Sequence, residues 1–175
     1  IVLNKKNSKN KLKNCLIISI LLLAFILRIF SISDNHVFFF FDQARDAVIS
    51  TSIINDKDLK IMGPSVSGTN DSLYHGVFYY YLIAPIYVIS KGNPFIVSVY
   101  LSAISLIGIF VTYKLGKMVF KSESIGLLAA FFQSISVISI NQATWLSNPN
   151  LSAIFIPTAY YFVWKIFLSE KNKNL

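Results

Sequence analysis

CLIISILLLAFILRIFSI, residues 15–32, decides the fold. Its eighteen positions hold one charge, Arg28. A helix that crosses a bilayer needs about 20 mostly apolar residues, so the stretch reads as a span. Lys5, Lys6, Lys9, Lys11 and Lys13 precede it, as expected of a cytoplasmic end. Arg28, near the far end, is expected to snorkel to the headgroups. Cys15 opens the run and reads as a buried structural thiol. As the single cysteine it excludes an internal disulfide and a Cys-based zinc site. A cleaved signal peptide ending at Ser31-Ile32-Ser33 is the rival reading; the apolar runs that follow argue for an uncleaved helix.

The bulk composition agrees. Of 175 residues, 54% are hydrophobic and 14% charged, where a soluble domain has about 45–50% and about 25%. One small globule cannot hide that excess, so lipid is the economical solvent. The net charge is +8, yet the lysines sit beside apolar runs and form no basic stripe on a soluble element. No nucleic-acid partner is expected. The chain starts at Ile1 and stops soon after an apolar run, which reads as a piece of a longer protein.

Further apolar runs cover about 74–90, 95–115, 125–140 and 151–167. The first is short, rich in Tyr and interrupted by Pro85. If it does not span, Lys114, Lys117, Lys121, Lys165, Lys171 and Lys173 all fall on the cytoplasmic side, which satisfies the positive-inside rule. We therefore read 74–90 as a juxtamembrane or re-entrant helix. The fold class is an all-α membrane protein with about four transmembrane helices and juxtamembrane helices in a long first external loop. The predicted order is a basic cytoplasmic tail (1–14), helix 15–33, external loop 34–94, helix 95–115, cytoplasmic loop 116–124, helix 125–141, external loop 142–150, helix 151–167 and cytoplasmic tail 168–175.

All six Asp lie between positions 34 and 71, inside the first external loop. A loop of that length is expected to be functional. Val37-Phe38-Phe39-Phe40-Phe41 leads to Asp42, which stands where an N-cap would stand. Ala44, Ala47, Val48, Thr51 and Ile54 then recur at helical spacing, predicting a short amphipathic helix on the membrane surface. Residues 65–72 are small and polar and read as a flexible loop. Tyr74-His75-Gly76 leads into the aromatic run, and Gly92-Asn93-Pro94 is a turn.

Asp42-Gln43-Ala44-Arg45-Asp46 is the sharpest constellation. Asp42 and Asp46 share a helix face, and Phe neighbours would partly desolvate a carboxylate, suiting it to general-base work. The competing reading is a capped helix with a solvated Arg45–Asp46 pair. Arg45 and Lys60 have the charge to neutralise a phosphate. His75 precedes Gly76, where a ligand can approach the backbone. Trp145-Leu-Ser-Asn148-Pro-Asn150 forms the second external loop, on the same predicted side as Asp42. Asn70 and Asn150 match the glycosylation acceptor pattern. No P-loop, dinucleotide fingerprint, H-E-x-x-H or Cys/His cluster occurs.

The order of these features resembles the N-terminal part of polytopic glycosyltransferases with the GT-C fold, of the protein mannosyltransferase and aminoarabinose transferase (family 39) type. In that family a first helix precedes an external loop with an Asp-Glu motif; here the position reads Phe41-Asp42-Gln43. A Pro-Pro-Leu element before an aromatic helix looks like His75-Gly76-Val77-Phe78-Tyr79-Tyr80-Tyr81. A third element, Asp followed by Pro-Leu, looks like Asn148-Pro149-Asn150-Leu151. The resemblance implies transfer of a sugar from a polyprenyl-phosphate donor to a lipid, glycan or protein acceptor, at the outer face of a membrane, most simply a bacterial plasma membrane. It implies a catalytic role for Asp42, alone or shared with Asp46, and substrate contacts for Arg45, Lys60, His75 and Asn148. It implies no fixed cofactor and leaves room for a divalent metal, for which Asp42 and Asp46 alone do not establish a site. Family members also use segments C-terminal to this stretch, so residues 1–175 alone are expected to be inactive. A scaffold or transporter piece, or a binding module built on the loop, is the alternative.

Overall fold

The computed structural model describes residues 2–32, 37–66 and 73–173. Within them the regular structure is all helical, apart from one isolated antiparallel bridge between Ser65 and Tyr74. The helices are α1 (Val2–Ser31), α2 (Phe41–Asn55), α3 (Phe78–Ile89), α4 (Pro94–Phe120), α5 (Glu123–Ile135), α6 (Val137–Thr144) and α7 (Ser152–Lys173), with a 3₁₀ turn at Asn148–Leu151. Three stretches are long and apolar enough to cross a membrane: Lys11–Ser31, Pro94–Phe120 and Asn148–Ser169. The count reaches four if the bent pair α5 and α6 is one span.

The predicted single helix over 125–141 is corrected by that bend. Ser136 adopts an extended backbone (φ −65°, ψ 121°) and ends α5 while starting α6. The two axes differ by 64°. Local chemistry explains the site: Ser136 Oγ accepts from Ser139 N, and the β-branched Ile135, Val137, Ile138 and Ile140 are poor helix formers.

α4 starts on Asn93, whose side chain accepts from Phe95 N at 2.9 Å, with Pro94 at the first helical position. Asn93-Pro94 is thus a helix start as well as a turn. α4 is the hub, packing on α1, α3, α5 and α7. Glycines on α4 and on its neighbour α5 permit this. A Cβ at Gly108 would lie 2.0 Å from Ala153 O, and one at Gly126 would lie 2.6 Å from Tyr113 O. Close backbone approach over small residues is the ordinary means by which helices associate in lipid.

Two clusters of buried apolar residues result. One lies between the spans and joins Ile17, Ala24, Ile109, Tyr113 and Ala130. The other knits α2, α3, the start of α4 and the 145–151 turn together around Tyr79, Tyr80, Ile83, Tyr87, Val97 and Leu101. α7 stays almost wholly outward-facing.

Two expectations about α1 are corrected. Arg28 does not snorkel: it is 1% exposed. Its Nε donates to Ser105 Oγ (3.1 Å), and Nη1 donates to Ala24 O (2.9 Å) and Ser134 O (3.5 Å). Ser134 O belongs to the last turn of α5, where the break leaves carbonyls without an intrahelical partner. A cation is favoured at such an end, which draws the guanidinium inward. Cys15 is exposed, not buried, because α1 turns that side away from α4 and α5.

Candidate functional site

The N-cap of α2 falls two residues before the expected Asp42. Phe40 is the N-cap residue, and its N–H donates to Gln43 Oε1 at 3.0 Å, closing the first turn. Asp42 therefore sits inside the first turn, where the helix dipole favours a negative side chain.

α2 turns a largely polar face onto the protein. Gln43, Asp46, Ser50 and Ile53 are buried, whereas Val48 and Ile54 are exposed. α2 packs on α3, and α3 offers buried tyrosines, Tyr79, Tyr80 and Tyr87. Hydroxyl-bearing rings accept polar neighbours, so the polar stripe goes inward. The apolar stripe faces out beside Phe38, Phe40 and Phe41, all exposed.

Arg45 joins the two carboxylates. Its Nη1 lies 2.8 Å from Asp42 Oδ1, and its Nη2 and Nε lie 2.8 and 3.0 Å from Asp46 Oδ1. Tyr80 Oη donates to the same Asp46 oxygen at 3.3 Å. The side chain of Asp46 is 4% exposed and that of Asp42 is 65% exposed. The desolvation expected for Asp42 thus falls on Asp46. Burial raises the Asp46 pKa, against the opposing bond from Arg45. Burial and the neighbouring Asp46 charge push Tyr80 up to about 12. Asp46 Oδ1 is occupied by Arg45 and Tyr80; Asp42 is the carboxylate that solvent and a ligand can reach.

His75 and Asn148 meet elsewhere. Together with Gly76, Tyr79, Ser152 and Phe155 they line an open cleft of about 430 Å³. His75 is placed by its backbone: its N donates to Pro64 O (2.9 Å) and its O accepts from Gly63 N (3.1 Å). Gly63 is needed there, because a Cβ would lie 2.5 Å from His75 O. At Gly76 a Cβ would meet nothing within 4 Å, so the backbone is open to the cleft. Tyr79 lines this cleft and neighbours Tyr80, so the first turn of α3 stands between it and the Asp42–Arg45–Asp46 cluster. Lys60 joins neither group: its ammonium pairs with Asp58, and its carbonyl accepts from Tyr81 Oη at 2.8 Å. The flexible loop expected over 65–72 and the acceptor pattern at Asn70 fall largely outside the described residues.

Several residues of the site escape sequence reading. Asn150 is fully buried and donates through Nδ2 to Ala143 O (2.8 Å) and Trp145 O (3.0 Å). Gln142 Nε2 donates to Pro149 O (2.6 Å) and Ser152 Oγ (3.2 Å). Together they set the turn that carries Asn148. Tyr79, Tyr80 and Tyr87 could have been found, since with Ile83 they follow helical spacing and mark the inner face.

Among the described residues no group of three or more His, Cys, Asp or Glu side chains converges as a metal site. Asp42 and Asp46 are both turned onto Arg45. Compared with known proteins, the chain matches no family model, no curated protein and no solved structure.

Proposed function

We propose that the chain is part of a membrane glycosyltransferase that moves a sugar from a polyprenyl-phosphate donor to an acceptor at the outer face of a bacterial plasma membrane. The proposed topology has four spans, both ends cytoplasmic, with α5 and α6 forming one bent span and α3 lying at the interface. α3 has 12 residues, about 18 Å of helix, which is short for a hydrocarbon core of about 30 Å.

The observation that carries this reading is the Asp42–Arg45–Asp46 relay on a helix next to a membrane exit. Asp46 fixes Arg45, and Arg45 orients Asp42, whose carboxylate stays reachable. Asp42 is the general base: it takes the proton of an acceptor hydroxyl as that oxygen attacks the anomeric carbon. The bond from that carbon to the lipid phosphate breaks, and the phosphate leaves with the electron pair. Asp46 acts as a positioning residue. The His75–Asn148 cleft, with aromatic walls and an open backbone at Gly76, lies across the first turn of α3 from Asp42 and suits a part of a glycan acceptor away from the reacting hydroxyl. Arg45 carries the positive charge paired with Asp42 and is the candidate to stabilise the leaving phosphate.

The test uses the full-length gene product in membranes with a polyprenyl-phosphate sugar. Asp42→Asn should abolish transfer while membrane insertion stays intact. Turnover at the wild-type level in that variant removes Asp42 from the mechanism.

One observation favours a transporter instead: a buried cation, Arg28, at the break between α5 and α6. Broken helices and intramembrane charges mark transport sites. Such sites lie near the midplane, however. Arg28 is seven residues beyond the middle of Lys11–Ser31, on the order of 10 Å toward the end of the span. That position fits a cap on α5 better than a substrate site.

A further inference from the structure

The seam between α1 and α4 carries two adjoining cavities that the proposed reaction does not use. On α1, Asn14, Ile18, Leu21 and Phe25 recur every three or four residues and share one face. On α4, Lys117, Lys114, Phe110, Leu106 and Ala103 do the same. Where the two faces meet near Lys13, a cavity of about 260 Å³ is lined by Lys13, Asn14, Lys114 and Lys117. Farther along the same faces, a second cavity of about 270 Å³ is lined only by apolar side chains, Leu21, Phe25, Ala103 and Leu106 among them.

The first cavity has surplus positive charge. Glu123 is the carboxylate in its lining, and it is engaged by Lys13 (3.1 Å), Lys117 (2.9 Å) and the Tyr113 hydroxyl. Lys114 sits over the Phe110 ring, 5.2 Å from its centroid, and is exposed. Three ammonium groups against one carboxylate leave a net charge of two at the membrane end of three helices. From Asn14 to Phe25 the helix rises on the order of 16 Å, from polar cavity into apolar groove.

We infer that this seam seats one anionic phospholipid, with its phosphate among Lys13, Lys114 and Lys117 and an acyl chain along the groove. Basic pockets between membrane helices hold anionic head groups. The adjoining apolar groove selects a lipid over a free phosphate, which has nothing to place there. The assignment is independent of the glycosyl-transfer reading.

Native mass spectrometry of the full chain in detergent tests it, with equal amounts of phosphatidylglycerol and phosphatidylcholine added. Phosphatidylglycerol should be retained preferentially. Lys114→Gln should weaken that retention about fivefold, and Lys114→Arg should restore it. Ala103→Trp fills the groove at an exposed position without touching a lysine, and it should also reduce retention. Equal retention of the two lipids, or an unchanged Lys114→Gln, overturns the proposal. Displacement by inorganic phosphate, with Ala103→Trp behaving as wild type, shows a free-phosphate site and overturns it equally.

Discussion

Asp42 and Asp46 are one helical turn apart and live in different solvents. In the proposed reaction that difference would divide their work: Asp46, buried and held by Arg45 and Tyr80, would position, and the exposed Asp42 would react. Asp46→Asn should lower kcat far more than it changes KM, because Arg45 loses the partner that fixes it beside Asp42. An unchanged kcat would make Asp46 merely structural. Burial also gives a stability signature. The folded pKa of Asp46 is raised above an unfolded value of about 3.9. Below that value both states are protonated and the contribution is fully present. As pH rises through the folded pKa, the unfolded chain has already ionised and the contribution is lost. The wild-type unfolding midpoint in detergent should therefore fall relative to that of Asp46→Asn as the pH rises from about 4. Parallel curves would remove Asp46 from the balance. Arg28 makes a third residue-scale case. Ser105→Ala removes the acceptor of its Nε at a buried site and should cost about 1–3 kcal/mol, read as an earlier midpoint in a denaturing-detergent titration.

At the scale of elements, the sequence period marked α2 as an amphipathic helix at the membrane surface and left its protein-facing side unassigned. Apolar spacing says only that two faces differ. Which one turns inward depends on the neighbour, and α3 presents tyrosines. The outward stripe should lie in lipid: a tryptophan at Val48 should be quenched by brominated lipid, and one at Ser52, on a part-buried side, much less. Equal quenching would detach α2 from the membrane surface. Helix contacts give a second test. Gly108→Ala must push α4 away from Ala153 O and should destabilise by about 1–3 kcal/mol, as overpacking does. Gly76→Ala meets nothing and should leave stability unchanged, while narrowing the His75–Asn148 cleft. Reversed effects would mean that the α4–α7 contact is looser than drawn.

For the whole molecule, the proposed topology fixes which side each loop faces. In a Cys15→Ser background, Ile61→Cys should react with an impermeant thiol reagent from outside intact cells, and Ser122→Cys should not. The opposite pattern would reverse the topology and remove Asp42 from the outer face. The all-helical class and most helices were legible because hydropathy and length act locally: residues 15–32 are apolar and long enough for a helix that could cross a membrane, whatever packs beside them. The acidic motif and the His75 and Asn148 elements were legible for the same reason, as residue types at short spacing. Tertiary structure alone decided the rest. It buried Asp46 and left Asp42 open, drew Arg28 onto the end of α5, bent the third apolar run at Ser136, and set Asn148 opposite His75 through the buried Asn150. Each of these depends on a partner distant in the chain, and the cost of burying a polar group is set by that partner, which no local pattern contains.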